Sequence, residues 1–188
     1  MKRLTLASQS PRRAKILADL GVSFDVVKTD APEVSFPHDP EGTVLANARA
    51  KLLACSRAPA LAADTIVWFA GKIYGKPRDL AEAKAFLREL SGQTHVVFTG
   101  VAYVGPAAAP ASSKGLAPVL TACTRSDVTF RALSDAAIDA YIARVRPLDR
   151  AGAYDIDESG DLIVASYTGE YENIMGLPVE PLRRFGII

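Results

Sequence analysis

The chain has few of the side chains that usually build a soft-metal centre. Its 188 residues contain only two cysteines, Cys55 and Cys123, and two histidines, His38 and His95. These four residues show no ligand spacing, so a His/Cys metal site is not expected. Without a partner at disulfide or metal spacing, each cysteine is predicted to be a small buried side chain in a reducing compartment.

Long apolar runs and an excess of one charge are also missing. No run of about 18 apolar residues occurs, which excludes a membrane-spanning helix, and no apolar leader with a cleavage site is present. The formal net charge is only +1, and no stripe of aromatic and basic residues is found, so nucleic acid is not an expected partner. We therefore expect a cytoplasmic protein with neither membrane nor nucleic-acid partners.

Two common glycine-rich nucleotide motifs are absent as well. Neither Gly-x-x-x-x-Gly-Lys-Ser/Thr nor Gly-x-Gly-x-x-Gly occurs in the sequence. A P-loop and a dinucleotide-binding turn are therefore not predicted. Any phosphate site in this chain has to be built from other elements.

Strand and helix patterns alternate along the chain without an internal repeat. Strands are predicted at 4–7, 24–27, 61–69, 72–74, 94–104, 119–131 and near 162–165. Helices are predicted at 11–20, 43–54, 80–90, 135–144 and from 178. The segment 105–118, rich in Ala, Pro, Ser and Gly, is predicted to be a flexible loop because strand patterns continue on both sides. These patterns predict an α/β protein with a mixed sheet, in one domain over residues 1–188, and leave the order of the strands open.

The segment Ser8-Gln9-Ser10-Pro11-Arg12-Arg13 connects the first strand to an amphipathic helix. Ser10 suits the N-cap, and Pro11 suits the first helical position because its missing N–H would be unpaired there. Two hydroxyls, free backbone N–H groups and two guanidinium groups would then face one spot, which favours a bound phosphate. An ordinary capped helix with a solvated arginine pair explains these six residues equally well.

Asp64 is the second chemical signal, because it stands inside the apolar strand segment 61–68. A carboxylate in such a place is costly unless a cation or several donors meet it. The interpretation we favour is a metal ligand or a general base. The alternative is an aspartate on the solvated face of an edge strand, although the apolar residues at positions 62, 66 and 68 share its face.

Isolated lysines and one glutamate complete the candidate site. Lys76 lies in the turn Gly75-Lys76-Pro77, Lys51 lies on an alanine-rich helix, and Glu33 follows a proline after the second strand. A triphosphate needs several fixed cations and a divalent ion before it can be desolvated. Taken singly, each of these side chains is more often an ordinary surface residue.

Taken together, these segments resemble the Maf family of nucleoside triphosphate pyrophosphatases. The resemblance rests on six motifs in order through nearly the whole chain, at residues 6–13, 63–65, 75–77, 90–95, 147–154 and 176–179. It implies an elongated α/β fold in which a mixed sheet flanked by helices forms two lobes around a central cleft, similar to the inosine triphosphate pyrophosphatases.

The resemblance also implies a reaction and a set of site residues. The family cleaves a nucleoside triphosphate between the α and β phosphates, giving the monophosphate and pyrophosphate, with Mg²⁺ or Mn²⁺. By position, the residues that would hold the triphosphate are Ser8, Arg12, Lys51 and Lys76. Asp64 would be the catalytic residue, as general base or metal ligand, and Glu33 would assist at the metal. The family further allows a homodimer and a role in removing noncanonical or excess nucleotides.

Three positions bear on the choice of base. Arg13 and Thr65 resemble the branch of the family that acts on dTTP and UTP, and they speak against the branch that acts on 7-methyl-GTP. The third position, Asp157, departs from the pyrimidine branch, which has glutamine there within a Gly-Ile-Gln run. A carboxylate only accepts hydrogen bonds. Asp157 is therefore predicted to move base choice away from strict dTTP/UTP and towards a base with an exocyclic amine.

A further departure concerns Lys51. Family members often carry a glutamate before this lysine, whereas Ala50 precedes it here. Lys51 is therefore expected to lack a local partner.

A protein of a different class remains as the alternative. The chain could sense a triphosphate without hydrolysing it, for example in the control of cell division, with which the family is associated. Asp64 favours an enzyme, because a carboxylate beside a triphosphate is repelled unless a metal ion lies between them.

Overall fold

The computed structural model describes residues 3–106 and 118–188. Most of the predicted flexible loop, residues 107–117, lies outside the described residues. The strands are β1 (Leu4–Leu6), β2 (Phe24–Val26), β3 (Ala60–Phe69), β4 (Lys72–Tyr74), β5 (Thr94–Val104), β6 (Leu120–Phe130) and β7 (Val164–Thr168). The helices are α1 (Pro11–Asp19), α2 (Pro40–Leu53), α3 (Leu80–Leu90), α4 (Asp135–Val145), α5 (Tyr171–Met175) and α6 (Val179–Arg184).

The strands form one open mixed sheet of seven strands with helices packed against it, which confirms the predicted α/β class. The order is β2-β1-β3-β5-β6-β7, and β4 pairs with β3 outside this path. The β1 strand runs parallel to β2 and β3, whereas the pairs of β3 with β4, β3 with β5, β5 with β6, and β6 with β7 are antiparallel. None of the helices in the described ranges has the length and apolarity needed to cross a bilayer.

A gap along one side of β3 determines where the site lies. On that side β1 pairs only with Ala60 and Leu61, and β4 pairs only with residues 67–69. The other side of β3 is covered by β5 from Ala60 to Trp68. Among the described residues, positions 62–66 therefore have a neighbouring strand on one side only. Side chains from both faces of β3 can reach this gap.

Local capping explains most helix boundaries. The side chains of Ser10, Asp79 and Ser134 accept hydrogen bonds from backbone N–H groups three residues on, at 3.5, 2.8 and 3.2 Å, as the sequence predicts. The α2 helix begins at Pro40 and not at the predicted residue 43, because Asp39 caps it and accepts from the Gly42 N–H at 2.8 Å. Asp39 and Pro40 together supply the N-cap and the first helical position.

The last strand also differs from its prediction. It covers Val164–Thr168, whereas the sequence pattern places it near residues 162–165. The residues Gly160–Leu162 form a 3₁₀ turn, and the Leu162 side chain is exposed. A turn that a few local hydrogen bonds stabilise is enough to shift a weak strand pattern by two residues.

Apolar side chains on β3 belong to different clusters on either side of the gap. Leu61 and Ala63 pack with α1 and α6, whereas Val67 packs with α3 and α4. These residues share one face of β3 because side chains alternate along a strand. Thr65 lies on the same face between the two clusters. On the opposite face, Ala62 packs in a third cluster with α2.

His95 is a fully buried titratable side chain that contacts Phe130 and Tyr154. It is 0% exposed, its Nε2 lies 3.0 Å from the hydroxyl of Tyr154, and its ring meets Phe130 edge to face. Burial lowers the pKa of His95 from 6.5 to about 4. The imidazole is therefore neutral in the folded protein at ordinary pH.

We expect this histidine to make the fold sensitive to mild acid. The folded-state pKa lies below the unfolded value of 6.5. Between about pH 6.5 and 4, His95 therefore binds a proton in the unfolded chain but stays neutral in the folded chain. The free energy of unfolding should fall across this interval by about 3 kcal/mol. Urea titrations between pH 7 and 4 measure the fall. His95→Gln should remove most of this slope, and an unchanged slope in that variant would contradict the assignment.

Candidate active site

A cavity of about 750 Å³ opens at the gap beside β3. This volume lies within the usual range for small-molecule sites. Its walls come from the start of α1, the loop before α2, α2 itself, β3, and the segments 149–156 and 174–176. Eight of the nine predicted site residues line it, namely Ser8, Arg12, Arg13, Glu33, Lys51, Asp64, Thr65 and Lys76.

Asp64 points from β3 towards α2 and meets both a cation and a donor. Its Oδ1 lies 2.6 Å from Lys51 Nζ, and its Oδ2 accepts a hydrogen bond from Asn47 Nδ2 at 3.0 Å. Asp64 is only 6% exposed. The alternative of a solvated aspartate is therefore wrong. The carboxylate is buried, and it is compensated in the way that its position requires.

Lys51 has no partner among its neighbours in sequence, as expected, but two carboxylates from distant segments pair with it. Its Nζ also lies 2.7 Å from Glu33 Oε1. Neither partner is a neighbour of Lys51 in sequence, because Asp64 comes from β3 and Glu33 from the loop before α2. Partial burial raises the pKa of Glu33, but hydrogen bonding to Lys51 and the charges of Lys51, Lys76 and Arg13 outweigh it, and the net pKa is lowered. Glu33 is therefore ionised at neutral pH.

Asn47 is a site residue that the sequence analysis missed. Its Nδ2 donates to Asp64, and it makes two bonds with the backbone of Val34: the Val34 N–H donates to Asn47 Oδ1 at 2.8 Å, and Asn47 Nδ2 donates to the Val34 carbonyl at 3.0 Å. Asn47 thus ties the loop that carries Glu33 to the helix that carries Lys51. Its position one helical turn before Lys51, on the same face of α2, is the signal that could have found it.

Arg13 is fixed by three hydrogen bonds and is not a solvated side chain. Its Nε donates to the Gly176 carbonyl at 2.8 Å, its Nη1 to Ser8 Oγ at 3.0 Å, and its Nη2 to Thr65 Oγ1 at 3.0 Å. Burial lowers the pKa of Arg13 to about 10, although the charge of Asp64 acts in the opposite direction. Arg13 therefore keeps its charge at neutral pH, with one N–H of each Nη group left over.

Arg12 faces a pair of aspartates at the cavity wall. Its Nη1 lies 3.5 Å from Asp155 and 3.7 Å from Asp149. Within the described part of the chain, this buried nitrogen has no partner at hydrogen-bond geometry. Arg150, which the sequence analysis did not single out, donates from Nε to the same Asp155 oxygen at 2.8 Å. The buried Asp155 carboxylate thus holds two guanidinium groups at the cavity.

Lys76 and Asp157 lie at different distances from the centre of the site. Lys76 is exposed at the cavity wall, near enough for its charge to lower the pKa of Glu33. Asp157 does not line the cavity. Its carboxylate lies 3.8 Å from Lys15 Nζ and 3.4 Å from the Tyr171 hydroxyl. Asp155, two residues earlier, occupies the cavity wall instead, because its carboxylate accepts from the Asp157 backbone N–H at 2.9 Å.

The pair Asp64 and Glu33 suits a hard divalent cation. Both carboxylates converge on a single ammonium group, so their oxygens already surround one positive charge. Mg²⁺ is usually held by one or two carboxylates together with substrate phosphates and water. Across residues 3–106 and 118–188, no cluster of three or more His, Cys, Asp or Glu side chains could hold a metal ion alone. The donor set therefore fits a cation that protein and substrate share.

Comparison with known proteins shows which family the chain belongs to. The profile of the family described as "Maf-like protein" matches residues 3–185. A dTTP/UTP pyrophosphatase of Moorella thermoacetica is 42% identical over 196 aligned positions, covering 100% of this chain and 97% of that protein. Proteins of the same name from Anaeromyxobacter dehalogenans strain 2CP-C and Bacillus cereus ATCC 10987 are 43% and 40% identical. Each alignment covers 98% of this chain, and the two cover 94% and 88% of those proteins, respectively. The chain belongs to the Maf-like protein family.

Proposed function

We propose that this protein hydrolyses pyrimidine nucleoside triphosphates, of the dTTP and UTP type, to the nucleoside monophosphate and pyrophosphate. The observation that carries the proposal is the buried Asp64 carboxylate, which Lys51 and Asn47 hold in a cavity lined by arginines. The similar proteins from three bacteria that carry the name dTTP/UTP pyrophosphatase support the same reaction.

Binding of the triphosphate would use the cations of the cavity wall. Arg12 on α1 and Lys76 in the turn after β4 present positive charge to the cavity, and Ser8 presents a hydroxyl just before the start of α1. Arg12 is the best placed of them, since its buried Nη1 lies near two carboxylates without a good hydrogen bond to either. A phosphate oxygen would give this nitrogen the acceptor that it lacks.

Hydrolysis would break the bond between the α phosphorus and the bridging oxygen while water adds to the α phosphorus. Glu33 would help to hold a Mg²⁺ or Mn²⁺ ion, which would neutralise phosphate charge and so stabilise the leaving pyrophosphate. Lys51 keeps the two carboxylates together, and Asn47 fixes the rotamer of Asp64. Asp64 can accept the proton of the attacking water in this arrangement, or it can act as a ligand of the ion.

We expect turnover to need a divalent cation. Treatment with a chelator should lower the rate by about 100-fold or more, because the phosphate charge is then left uncompensated, and Mg²⁺ or Mn²⁺ should restore it. The products identify the bond that breaks. The assay separates nucleoside monophosphate from diphosphate and measures pyrophosphate, over a panel of canonical, methylated and deaminated triphosphates. The chelator already saturated with Mg²⁺ serves as the control.

Two outcomes would overturn the proposal. Formation of diphosphate and phosphate would place the cleavage at the other anhydride bond. Tight triphosphate binding without turnover at any metal concentration would favour the nucleotide-sensing alternative.

Four further statements stay predictions: disposal of noncanonical or excess nucleotides, a cytoplasmic location, a homodimer, and the effect of Asp157 on base choice.

A further inference from the structure

Two threonines meet across neighbouring strands beneath the cavity wall. Thr65 on β3 and Thr99 on β5 are register partners, and their Oγ1 atoms lie 3.0 Å apart. Thr65 lines the cavity, whereas Thr99 is 0% exposed. Thr99 therefore touches Thr65 but has no access to a ligand.

The direction of each hydroxyl hydrogen follows from the partners. Arg13 Nη2 can only donate, so Thr65 Oγ1 accepts from it. Thr99 Oγ1 donates to the carbonyl of Asn173 at 3.0 Å, which leaves its lone pairs facing Thr65. The hydrogen of Thr65 then goes to Thr99 at 3.0 Å, since its other acceptor, the Gly176 carbonyl, lies farther away at 3.5 Å. Both of these acceptors belong to the protein, so this hydrogen is turned away from the cavity.

The far end of this chain of hydrogen bonds is anchored. Asn173 on α5 is 0% exposed, and its Nδ2 donates to the Val97 carbonyl at 3.2 Å and to Ser126 Oγ at 3.0 Å. The Ser126 hydroxyl in turn donates to the Glu170 carbonyl just before α5. The acceptor of the Thr99 hydroxyl is the backbone carbonyl of Asn173, and the side-chain bonds of Asn173 to two strands hold this residue, and with it that carbonyl, in place.

We propose that Thr99 is a positioning residue for base selection, because it fixes Thr65 as a pure hydrogen-bond acceptor towards the cavity. This inference rests on the proposed function and deepens it. Beside the accepting Thr65, Arg13 offers its unused N–H donors. A donor next to an acceptor is complementary to a ring carbonyl next to a ring N–H, the edge that uracil and thymine present.

The same arrangement of hydrogen bonds disfavours contact of Thr65 with two other kinds of ligand group. Ionised phosphate oxygens only accept, so Thr65 contacts the nucleoside and not the triphosphate. Cytosine carries an unprotonated N3 where uracil carries N3–H, and two acceptors would then face each other without a hydrogen between them. Guanine and hypoxanthine share the carbonyl and N–H edge. Thr99 therefore separates keto bases from amino bases and does not itself separate pyrimidines from purines.

The base preference that follows is opposite to the one that Asp157 suggests. An acceptor at Asp157 would suit the exocyclic amine of cytosine, but this side chain faces Lys15 and Tyr171 outside the cavity lining. Thr65 lies in the cavity wall. We therefore expect the preference set by Thr65 to prevail.

The test compares Thr99→Val with Thr99→Ser. Valine has nearly the shape of threonine but offers no acceptor to the Thr65 hydroxyl. The hydroxyl then keeps only the distant Gly176 carbonyl at 3.5 Å as a protein acceptor and can turn to donate to cytosine N3. Serine keeps the acceptor. The ratio of kcat/KM for UTP to that for CTP should be about tenfold in the unmodified protein. It should fall to about two in Thr99→Val and stay near tenfold in Thr99→Ser.

Binding separates this inference from the proposed reaction. Calorimetric dissociation constants for UTP and CTP, measured with Mg²⁺ in Asp64→Asn and in the double variants with Thr99→Val or Thr99→Ser, need no turnover and should show the same ratios. Three results would each overturn the role of Thr99. The unmodified protein could show no preference for UTP over CTP. Thr99→Val could lose affinity for UTP and CTP equally, or it could leave the ratio of the two affinities unchanged. Thermal unfolding of both variants shows whether they are folded at the assay temperature.

Discussion

Replacing Asp64 with asparagine is expected to lower the turnover of UTP by about 1,000-fold or more while triphosphate binding persists. A side chain that accepts a proton in the transition state contributes about 10²–10⁴ in rate, and the loss of a metal ligand would act in the same direction. Asparagine has the shape of aspartate, but one of its two terminal atoms is a donor. It therefore cannot accept from both Lys51 and Asn47, as Asp64 does.

The same variant shows whether the effect belongs to the chemistry. Steady-state rates with Mg²⁺, together with calorimetric binding of UTP, give kcat and the dissociation constant separately. Asp19→Asn is the matched control, because Asp19 is an exposed carboxylate at the end of α1 that, among the residues the structure describes, forms an ion pair with Lys15 alone. Comparable loss of activity in the two variants, or a folded Asp64→Asn protein with turnover within about tenfold of the original, would contradict the role assigned to Asp64.

Replacing Gly100 with alanine is expected to lower the free energy of unfolding by about 3 kcal/mol or more. Gly100 on β5 is the register partner of Asp64, and α2 packs directly against it. A Cβ at Gly100 would lie 2.5 Å from both the carbonyl carbon and the carbonyl oxygen of Val44. Overpacking a core typically costs about 1–3 kcal/mol. Here the obstacle is helix backbone, which cannot move aside as a flexible side chain does.

The substitution should also reduce activity, because α2 carries both Lys51 and Asn47. A helix displaced from the sheet takes their side-chain nitrogens away from Asp64. Urea unfolding and UTP turnover, measured on the same preparation, test both parts. Gly105→Ala, directly after the end of the same strand, is the control, since among the described residues a Cβ there meets the Tyr103 ring and hydroxyl alone, at ordinary contact distances of 3.7–3.9 Å. A Gly100→Ala protein as stable as that control would show that α2 does not depend on this close approach.

Local chemistry in the sequence was sufficient for the starts of three helices and for the most important carboxylate. Ser10, Asp79 and Ser134 cap their helices as predicted, since a cap involves only residues three positions apart. Asp64 stood out because an acid in an apolar strand demands compensation. The start of α2 and the position of β7 were predicted less well, because Asp39 and the turn Gly160–Leu162 compete with weak patterns over short segments.

Contacts between charged side chains could not be derived from the sequence in the same way. Lys51 was expected to lack a local partner, and its neighbours in the chain gave no sign of the distant carboxylates that pair with it. Its two carboxylates come from a loop and a strand that approach it only when α2 lies on the sheet. Arg150 and Asn47 escaped notice for the same reason. Their partners Asp155 and Asp64 are identified by spatial proximity, although the spacing of Asn47 from Lys51 on α2 could have drawn attention to Asn47.

The sequence by itself determined the α/β class, the capped helix after Ser8, the aspartate in the buried strand, and the resemblance that places the chain in its family. Only the tertiary structure decided that β1 and β4 leave part of β3 uncovered, so that Asp64 and Thr65, on opposite faces of one strand, line a single cavity. Only the structure could show that Thr99 lies within hydrogen-bond distance of the Thr65 hydroxyl and of the Asn173 backbone carbonyl. Propensity, capping and patterning act over a few residues, whereas pairing between strands and packing of helices on a sheet join positions that are far apart in the chain.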